Sequence, residues 1–186
     1  MRTHLLLSTA VLAAASLACS VFVGGPKLPD PPISGSPETL NTLEQDIQEA
    51  LANSLTDGTL QLSITQEQMT AYLASRFAAQ AEPLLTDPQV EFGDQQIKIY
   101  GRARSGIFEA NVSMTAKFEI DADGRPDIRI SGAEVGPMPV PQAFNDALAS
   151  AVDEALTGYV GPVAIGFRLE SIDISAGVMK VKGRLR

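Results

Sequence analysis

Few side chains in this sequence are suited to catalysis. His4 is the only histidine and Cys19 the only cysteine among the 186 residues. Nucleophilic hydrolases pair a serine or cysteine with a histidine, and zinc sites draw on the same two residue types. The acidic side chains are numerous but scattered over positions that the patterns below place in solvent. We therefore expect no catalytic residues, no metal site and no cofactor, with a paired-carboxylate hydrolase as the lesser alternative.

One acidic stretch partly matches a calcium loop. It reads Asp121-Ala122-Asp123-Gly124, with a further acidic residue at Asp127. An EF-hand loop that began at Asp121 would need a glycine where the chain has Pro126 and a glutamate where it has Gly132. Both key positions are wrong for calcium, and the sequence favours an ordinary hairpin turn.

The N-terminus has the pattern of an export signal. Arg2 precedes an almost entirely apolar or small run from Leu5 to Leu17, which is too short to span a bilayer. The run ends Ser16-Leu17-Ala18-Cys19, which resembles the lipobox of bacterial lipoproteins, with serine at a position that is usually leucine. The resemblance implies that residues 1–18 are removed and that Cys19 is lipidated. The alternative is an ordinary secretory peptide with a cysteine near its cleavage site.

Charge and composition restrict the partners. The chain has 14 basic and 22 acidic residues, for a net charge of -8. Such a balance argues against nucleic acid and against purely electrostatic docking on anionic membranes. Residues 19–35 are rich in proline and glycine and predict a tether, and residues 36–186 are long enough for one α+β domain. We expect an exported protein, lipid-anchored to the bacterial cell membrane or envelope.

Two helices and a strand are predicted after the tether. Ser36 and Pro37 fit the N-cap and first turn of a helix that ends before Asp57-Gly58. Alternation over Thr59–Ile64 predicts a half-buried strand. The sequence Thr65-Gln66-Glu67-Gln68 fits a capping box and predicts a second helix that ends before Pro83.

Period-two patterns then predict antiparallel strands. The clearest strand is Phe108–Ile120, whose even positions are apolar and odd positions mostly polar. A tight turn is expected at Gly93-Asp94 and others at Asp121–Gly124 and Ala176-Gly177. The apolar positions shift from odd to even numbers around Glu170-Ser171, which predicts a β-bulge there.

A long apolar helix is predicted between the two groups of strands. Gly136–Pro141 has three alternating prolines that favour an extended arm, and Pro141 fits the first helical position. The apolar residues that follow recur at helical spacing: Phe144, Ala147, Leu148, Ala151, Val152, Ala155, Leu156 and Tyr159. The resulting fold prediction is α+β, with a strongly curved antiparallel sheet wrapped around a long helix in the C-terminal half and additional N-terminal helices.

The apolar faces of this helix and sheet are the candidate binding site. Glycines along the strands permit strong curvature, and alanines on both elements leave space that larger residues would fill. An acyl chain suits such a groove, although a fully packed core explains the same pattern. The predicted lining residues are Phe108, Val112, Met114, Phe118, Phe144, Leu148, Val152 and Phe167.

Three stretches resemble the LmeA-like phospholipid-binding family. They are Leu60–Met69, Gly136–Pro141 and Ile172–Gly183, and the resemblance covers roughly residues 59–186, leaving the helix from Ser36 outside it. It implies a TULIP-like tubular fold with lipid held inside and transfers no catalytic residue. We expect a membrane-anchored lipoprotein that binds a lipid or acyl chain between helix and sheet. The alternative is a structural or protein-interaction envelope lipoprotein with a packed core and no ligand.

Overall fold

The structure, a computed structural model, describes residues 21–81, 83–136, 142, 146–147, 149–152, 154 and 166–186. The predicted signal peptide, Cys19 and much of the predicted central helix lie outside these residues. The described elements are β1 (Val21–Phe22), α1 (Pro37–Asp57), β2 (Thr59–Thr65), α2 (Gln66–Ala78), β3 (Thr86–Gly93), β4 (Gln96–Ser105), β5 (Phe108–Ile120), β6 (Pro126–Val135), β7 (Phe167–Ser175) and β8 (Val178–Leu185).

Both N-terminal helices begin at signals that the sequence carries, and α1 also ends at one. The Ser36 side chain accepts a hydrogen bond from the Thr39 amide at the start of α1. Gly58 caps the other end in a left-handed conformation that costs glycine little. At α2, Thr65 and Gln68 form the predicted capping box, with each side chain bound to the other residue's backbone amide. These caps fix the helix bounds independently of the core.

The large sheet is built around β5. Strand β4 pairs with it antiparallel from Ser105–Phe108 to Gln96–Lys117. On the opposite edge, β6 pairs antiparallel with Val112–Ile120, and β1 pairs parallel with Phe108 and Glu109. The turn between β3 and β4 is at Asp94-Gln95, one residue beyond the predicted position, and both residues have positive φ. A register shift in β6 leaves Gly132 unpaired at φ +66, as a bulge requires.

The small sheet has the order β2-β8-β7 and is antiparallel. Glu170 is the extra residue of a register shift between Leu169 and Ser171, which confirms the predicted bulge. The turn at Ala176-Gly177 is also where the sequence predicts it, and both residues have positive φ. The strands therefore divide between two sheets, while the sequence pattern predicted one.

Turns of the large sheet join it to β7 of the small sheet. Gln95 and Ile174 exchange two hydrogen bonds, of 3.1 and 3.2 Å, and the Leu169 amide donates to the Gly124 carbonyl at 2.9 Å. The stretch that resembled a calcium loop contains this second contact. Its Asp121 carboxylate accepts bonds from the Asp123 and Arg125 amides, as in an ordinary turn. Within the described parts of the chain, no cluster of acidic, cysteine or histidine residues could hold a metal ion.

The architecture is mixed α+β, with strands curled into a half-barrel. An apolar core among the described residues draws on α1, α2 and both sheets. The described helix of greatest length is α1, in the N-terminal part, so a long helix in the C-terminal half is not what these residues show. Residues 142, 146–147, 149–152 and 154 do form a helical segment. No helix among the described residues is both long and apolar enough to cross a bilayer.

The proline- and glycine-rich stretch is bound to the domain along its length. We call residues 23–35 the N-terminal arm. It hydrogen-bonds Asn111 on β5 through Gly24 and Pro26, then reaches β3, where the Ile33 amide donates to Gln89. A Cβ added at Gly35 would collide with the backbone of Ala71 in α2, so this contact admits only glycine. The arm lies against the domain instead of extending away from it as a tether.

Candidate functional site

An apolar row on β5 links the edge of the molecule to its interior. Phe108 is 43% exposed, Ala110 is buried, and Val112 and Met114 are only 1% and 2% exposed. Successive even positions of a strand point to one face, so these side chains share what we call the inner face of the large sheet. The row continues through the buried Ala116 to the half-buried Phe118.

Small residues surround the start of this row. Ala110 lies opposite Ala103, and Val112 lies opposite Gly101 on β4. Further along, Met114 and Ala116 lie opposite Ile99 and Ile97, which are much larger. The Leu85 side chain fills the space over Gly101, because a Cβ there would come within 2.6 Å of Leu85 Cδ1. The β4 and β5 side chains of the inner face are thus smaller toward the hairpin end, and Leu85 fills the space that they leave over Gly101.

The structure brings most of the predicted lining residues to this interior. Val112, Met114, Val152 and Phe167 are buried in the apolar core, and Phe118 packs against it. Phe108 differs from the prediction because it remains substantially exposed. Strand β6 ends opposite Val112, so on that edge the two-residue β1 is the described strand that flanks the start of β5. Phe144 and Leu148 lie outside the described residues.

The helical segment between residues 142 and 154 turns Val152 inward. Val152 is 0% exposed, Ala149 and Ala151 are half-buried against the core, and Ala147 is exposed. At about 100° per residue, Ala147 lies roughly 140° around the helix from Val152. The predicted apolar stripe included Ala147, so that part of the prediction is wrong. Among the described residues of the segment, Val152 is the most buried.

A separate apolar groove of about 430 Å³ lies under the N-terminal arm. Arm residues Ile33 and Gly35 form one wall, and Ala74 and Phe77 of α2 form another. Leu85 lines the groove and also covers Gly101 on the inner face, so one side chain contacts both the groove and the core. The volume is in the range of ligand pockets, about 300–1,000 Å³. Sequence reasoning missed this groove because it treated the arm as free.

The charged side chains of β4 and β5 lie on the outer face of the large sheet. The Tyr100 hydroxyl donates a 2.8 Å hydrogen bond to the Glu91 carboxylate, and Lys98 lies 5.2 Å from the Tyr100 ring centre. Burial, and then the bond to Glu91, raises the pKa of Tyr100 to about 12. The inner-face row itself has no charged side chain from Phe108 to Ala116. Its chemistry is that of apolar contact, without groups placed for proton transfer.

The protein is a curled α+β domain whose inner face offers apolar contact and no charged group from Phe108 to Ala116. The chain belongs to the LmeA-like phospholipid-binding family, whose sequence model matches residues 39–184. This confirms the resemblance and extends it to include α1, which the sequence motifs had left out. Neither the curated proteins nor the solved structures contain a significant match to the chain.

Proposed function

We propose that this protein is an exported lipoprotein that binds a phospholipid and catalyses no reaction. Cys19, once lipidated, anchors it to the bacterial cell membrane or envelope. One acyl chain lies between the helical segment around Val152 and the inner face of the large sheet. Family membership supports a phospholipid ligand. The observation that carries the binding site is the continuous apolar row from exposed Phe108 to buried Met114.

Binding at this site requires the helical segment to move. Val112, Met114 and Val152 are at most 2% exposed, so no water-sized space borders them. An acyl chain gains roughly 0.8 kcal/mol for each CH₂ that it buries, which offsets the packing energy that is given up when the segment separates from the sheet. The half-buried Ala149 and Ala151 have small side chains with little packing area, so the segment is a suitable element to give way.

The same burial favours a second candidate function. A core that is already filled needs no ligand, and the protein would then serve as a structural or interaction lipoprotein of the envelope. The two functions differ in whether the folded chain carries lipid. A chain that begins at Ser20 lacks the anchor but contains every described residue, and the described hydrogen bonds and core lie entirely within it.

Native mass spectrometry and solvent extraction of this chain test the proposal. We expect bound phospholipid in the parent chain and its loss in Ala151→Trp. Ala147→Trp is the matched control, because it adds the same ring on the exposed side of the same segment. Ala74→Trp fills the groove under the arm. Loss of lipid only in Ala74→Trp would move the site to that groove. Absence of lipid from the parent, with Ala151→Trp destabilised by about 1–3 kcal/mol, would establish the packed core.

A further inference from the structure

Four exposed apolar side chains meet at one end of the large sheet. Val21 and Phe22 of β1 are 45% and 58% exposed, and Ile107 and Phe108 of the β4–β5 hairpin are 60% and 43% exposed. The Val21 amide donates a 2.7 Å hydrogen bond to the Ile107 carbonyl, which holds the two segments together. We call these four residues the apolar tip. Exposed apolar side chains that cluster in this way commonly mark an interaction site.

The tip presents apolar groups on both faces of the sheet. Val21 lies opposite Phe108, and Phe22 lies opposite Glu109. Directly paired residues share a face, so Val21 extends the inner-face row while Phe22 projects from the outer face. Ile107 occupies the hairpin turn beside Gly106, whose φ of +61 makes the tight turn possible. Such turns normally carry polar residues, and nothing in the turn geometry calls for isoleucine.

The chain that precedes the tip leads directly to the predicted anchor. Only Ser20 separates Cys19 from Val21. Two residues span at most about 7 Å, and the arm that follows is bound to the domain, so it adds no reach. This step rests on the proposed lipidation of Cys19. A lipid on that residue would hold the tip against the membrane surface.

The charges around the tip are compatible with a phospholipid surface. Arg104 and Arg102 lie beside it on β4 and pair with Glu109 at 3.2 and 3.7 Å. Both guanidinium groups keep substantial solvent exposure, so they can also meet phosphate oxygens. The chain as a whole carries a net charge of -8, so electrostatic attraction alone cannot hold it on an anionic phospholipid surface. Insertion of apolar side chains has to supply the attraction.

We propose that the apolar tip inserts into the interfacial region of the phospholipid bilayer that holds the anchor. Insertion buries Phe22 and Ile107 in the acyl boundary and turns Val21 and Phe108 toward the membrane. Phe108 is also the first residue of the inner-face row, so the exposed end of that row opens onto lipid.

A tryptophan reporter tests the insertion. The chain contains no tryptophan, so Ile107→Trp gives a single emitter. Leu55→Trp is the matched control, because Leu55 is equally apolar, 78% exposed and located on α1. The lipidated mature protein is reconstituted into vesicles of phosphatidylethanolamine and phosphatidylglycerol with brominated acyl chains. We expect a blue shift and strong quenching for Trp at position 107 and neither at position 55. Equal quenching at both positions, or none at 107, would overturn the proposal.

Vesicle binding without the anchor separates insertion from tethering. The chain from Ser20 should sediment with the same vesicles, and Phe22→Ser and Ile107→Ser should each weaken binding about tenfold. Both residues are exposed, so folding should be unchanged. Tip-dependent self-association without vesicle binding would replace the bilayer with a second copy of the chain. Solvent extraction of the same preparations reports the interior ligand separately. If the chain from Ser20 failed to bind vesicles but still contained lipid, the insertion of the tip would be refuted and the proposed lipid binding would stand.

Discussion

Substitution of Gly35 by alanine should detach the N-terminal arm from α2. A Cβ on Gly35 would collide with the Ala71 backbone nitrogen and Cα and would lie 2.6 Å from the Ala71 Cβ. Ordinary contacts of this kind are 3.4–4 Å, so the last of these falls about 0.8 Å short. Because two of the obstructing atoms belong to a helix backbone, α2 cannot yield by rotating a side chain. The arm itself has to move.

The expected cost follows from the interactions that the displaced arm gives up. Forcing one extra carbon into a packed contact typically destabilises a protein by about 1–3 kcal/mol. For a chain of 186 residues, each kcal/mol corresponds to roughly 2–4 °C in Tm, so Gly35→Ala should unfold roughly 2–12 °C lower. The nearby Ile33–Gln89 hydrogen bond should weaken as well. Thermal unfolding gives the first quantity, and amide hydrogen exchange at Ile33 gives the second.

Gly93→Ala is the matched control for this prediction. A Cβ on Gly93 meets nothing within 4 Å, and its backbone is not in the left-handed region. The control should therefore be neutral or stabilised by at most about 1 kcal/mol. If Gly35→Ala changed Tm no more than Gly93→Ala, the arm would not be docked as the structure has it. The inference that the arm adds no reach between Cys19 and the apolar tip would then fail as well.

Two further predictions concern hydrogen-bonded polar groups, Tyr100 in the large sheet and Thr70 in α2. The folded-state pKa of Tyr100 is raised from 10.0 to about 12, so stability should be full below about pH 10 and fall between about pH 10 and 12. The difference in phenolate absorbance between the parent and Tyr100→Phe should show this late titration; a difference that titrated near pH 10 would contradict the burial and hydrogen bond of Tyr100. Thr70→Val removes the buried hydroxyl that accepts a 2.9 Å bond from the Val90 amide and should cost about 1–3 kcal/mol in urea unfolding. Thr70→Ser keeps the hydroxyl and should recover much of that loss; equal costs would show that the bond contributes little.

Elements with strong local signals were predictable from the sequence. Strand β5 has the predicted bounds, Phe108–Ile120, because thirteen residues of nearly strict alternation admit one face and one register. The bulge at Glu170 was readable for the same reason, since an extra residue shifts the apolar positions from odd to even. The caps at Ser36 and Thr65 depend on residues within one turn of the helix start.

Features that depend on distant contacts were not predictable in this way. Proline and glycine are common in free tethers and in docked arms alike, so the composition of residues 23–35 cannot show that Gly35 sits against Ala71. The division into two sheets depends on which strand edges meet, and alternation within a strand carries no information on that. The parallel pairing of β1 with Phe108 joins residues about ninety positions apart, and two residues give no periodic signal.

The sequence predicted the buried residues of the candidate site, but it did not predict the exposure of Phe108, the groove under the arm or the apolar tip. Val112 and Met114 follow from the pattern of one strand, and the core places them as expected. Phe108 has the same pattern, but its burial depends on how far β6 extends, which the sequence of β5 does not encode. The groove under the arm and the apolar tip both arise from the docking of residues 21–35. One misjudged segment therefore accounts for both omissions.

The docked arm also bears on what a lipid-binding function could be. A free tether over residues 19–35 would span roughly 50 Å when extended and would let the domain present any face to a distant membrane. With the arm bound to β5, β3 and α2, an anchor at Cys19 would keep the tip within about 7 Å of its own bilayer. A protein anchored in this way would be placed to take up or hold lipid at the membrane that carries it, with Phe108 facing that surface. Delivery to a second membrane would first require release of the arm. Gly35→Ala should cause that release, because its Cβ would collide with the Ala71 backbone.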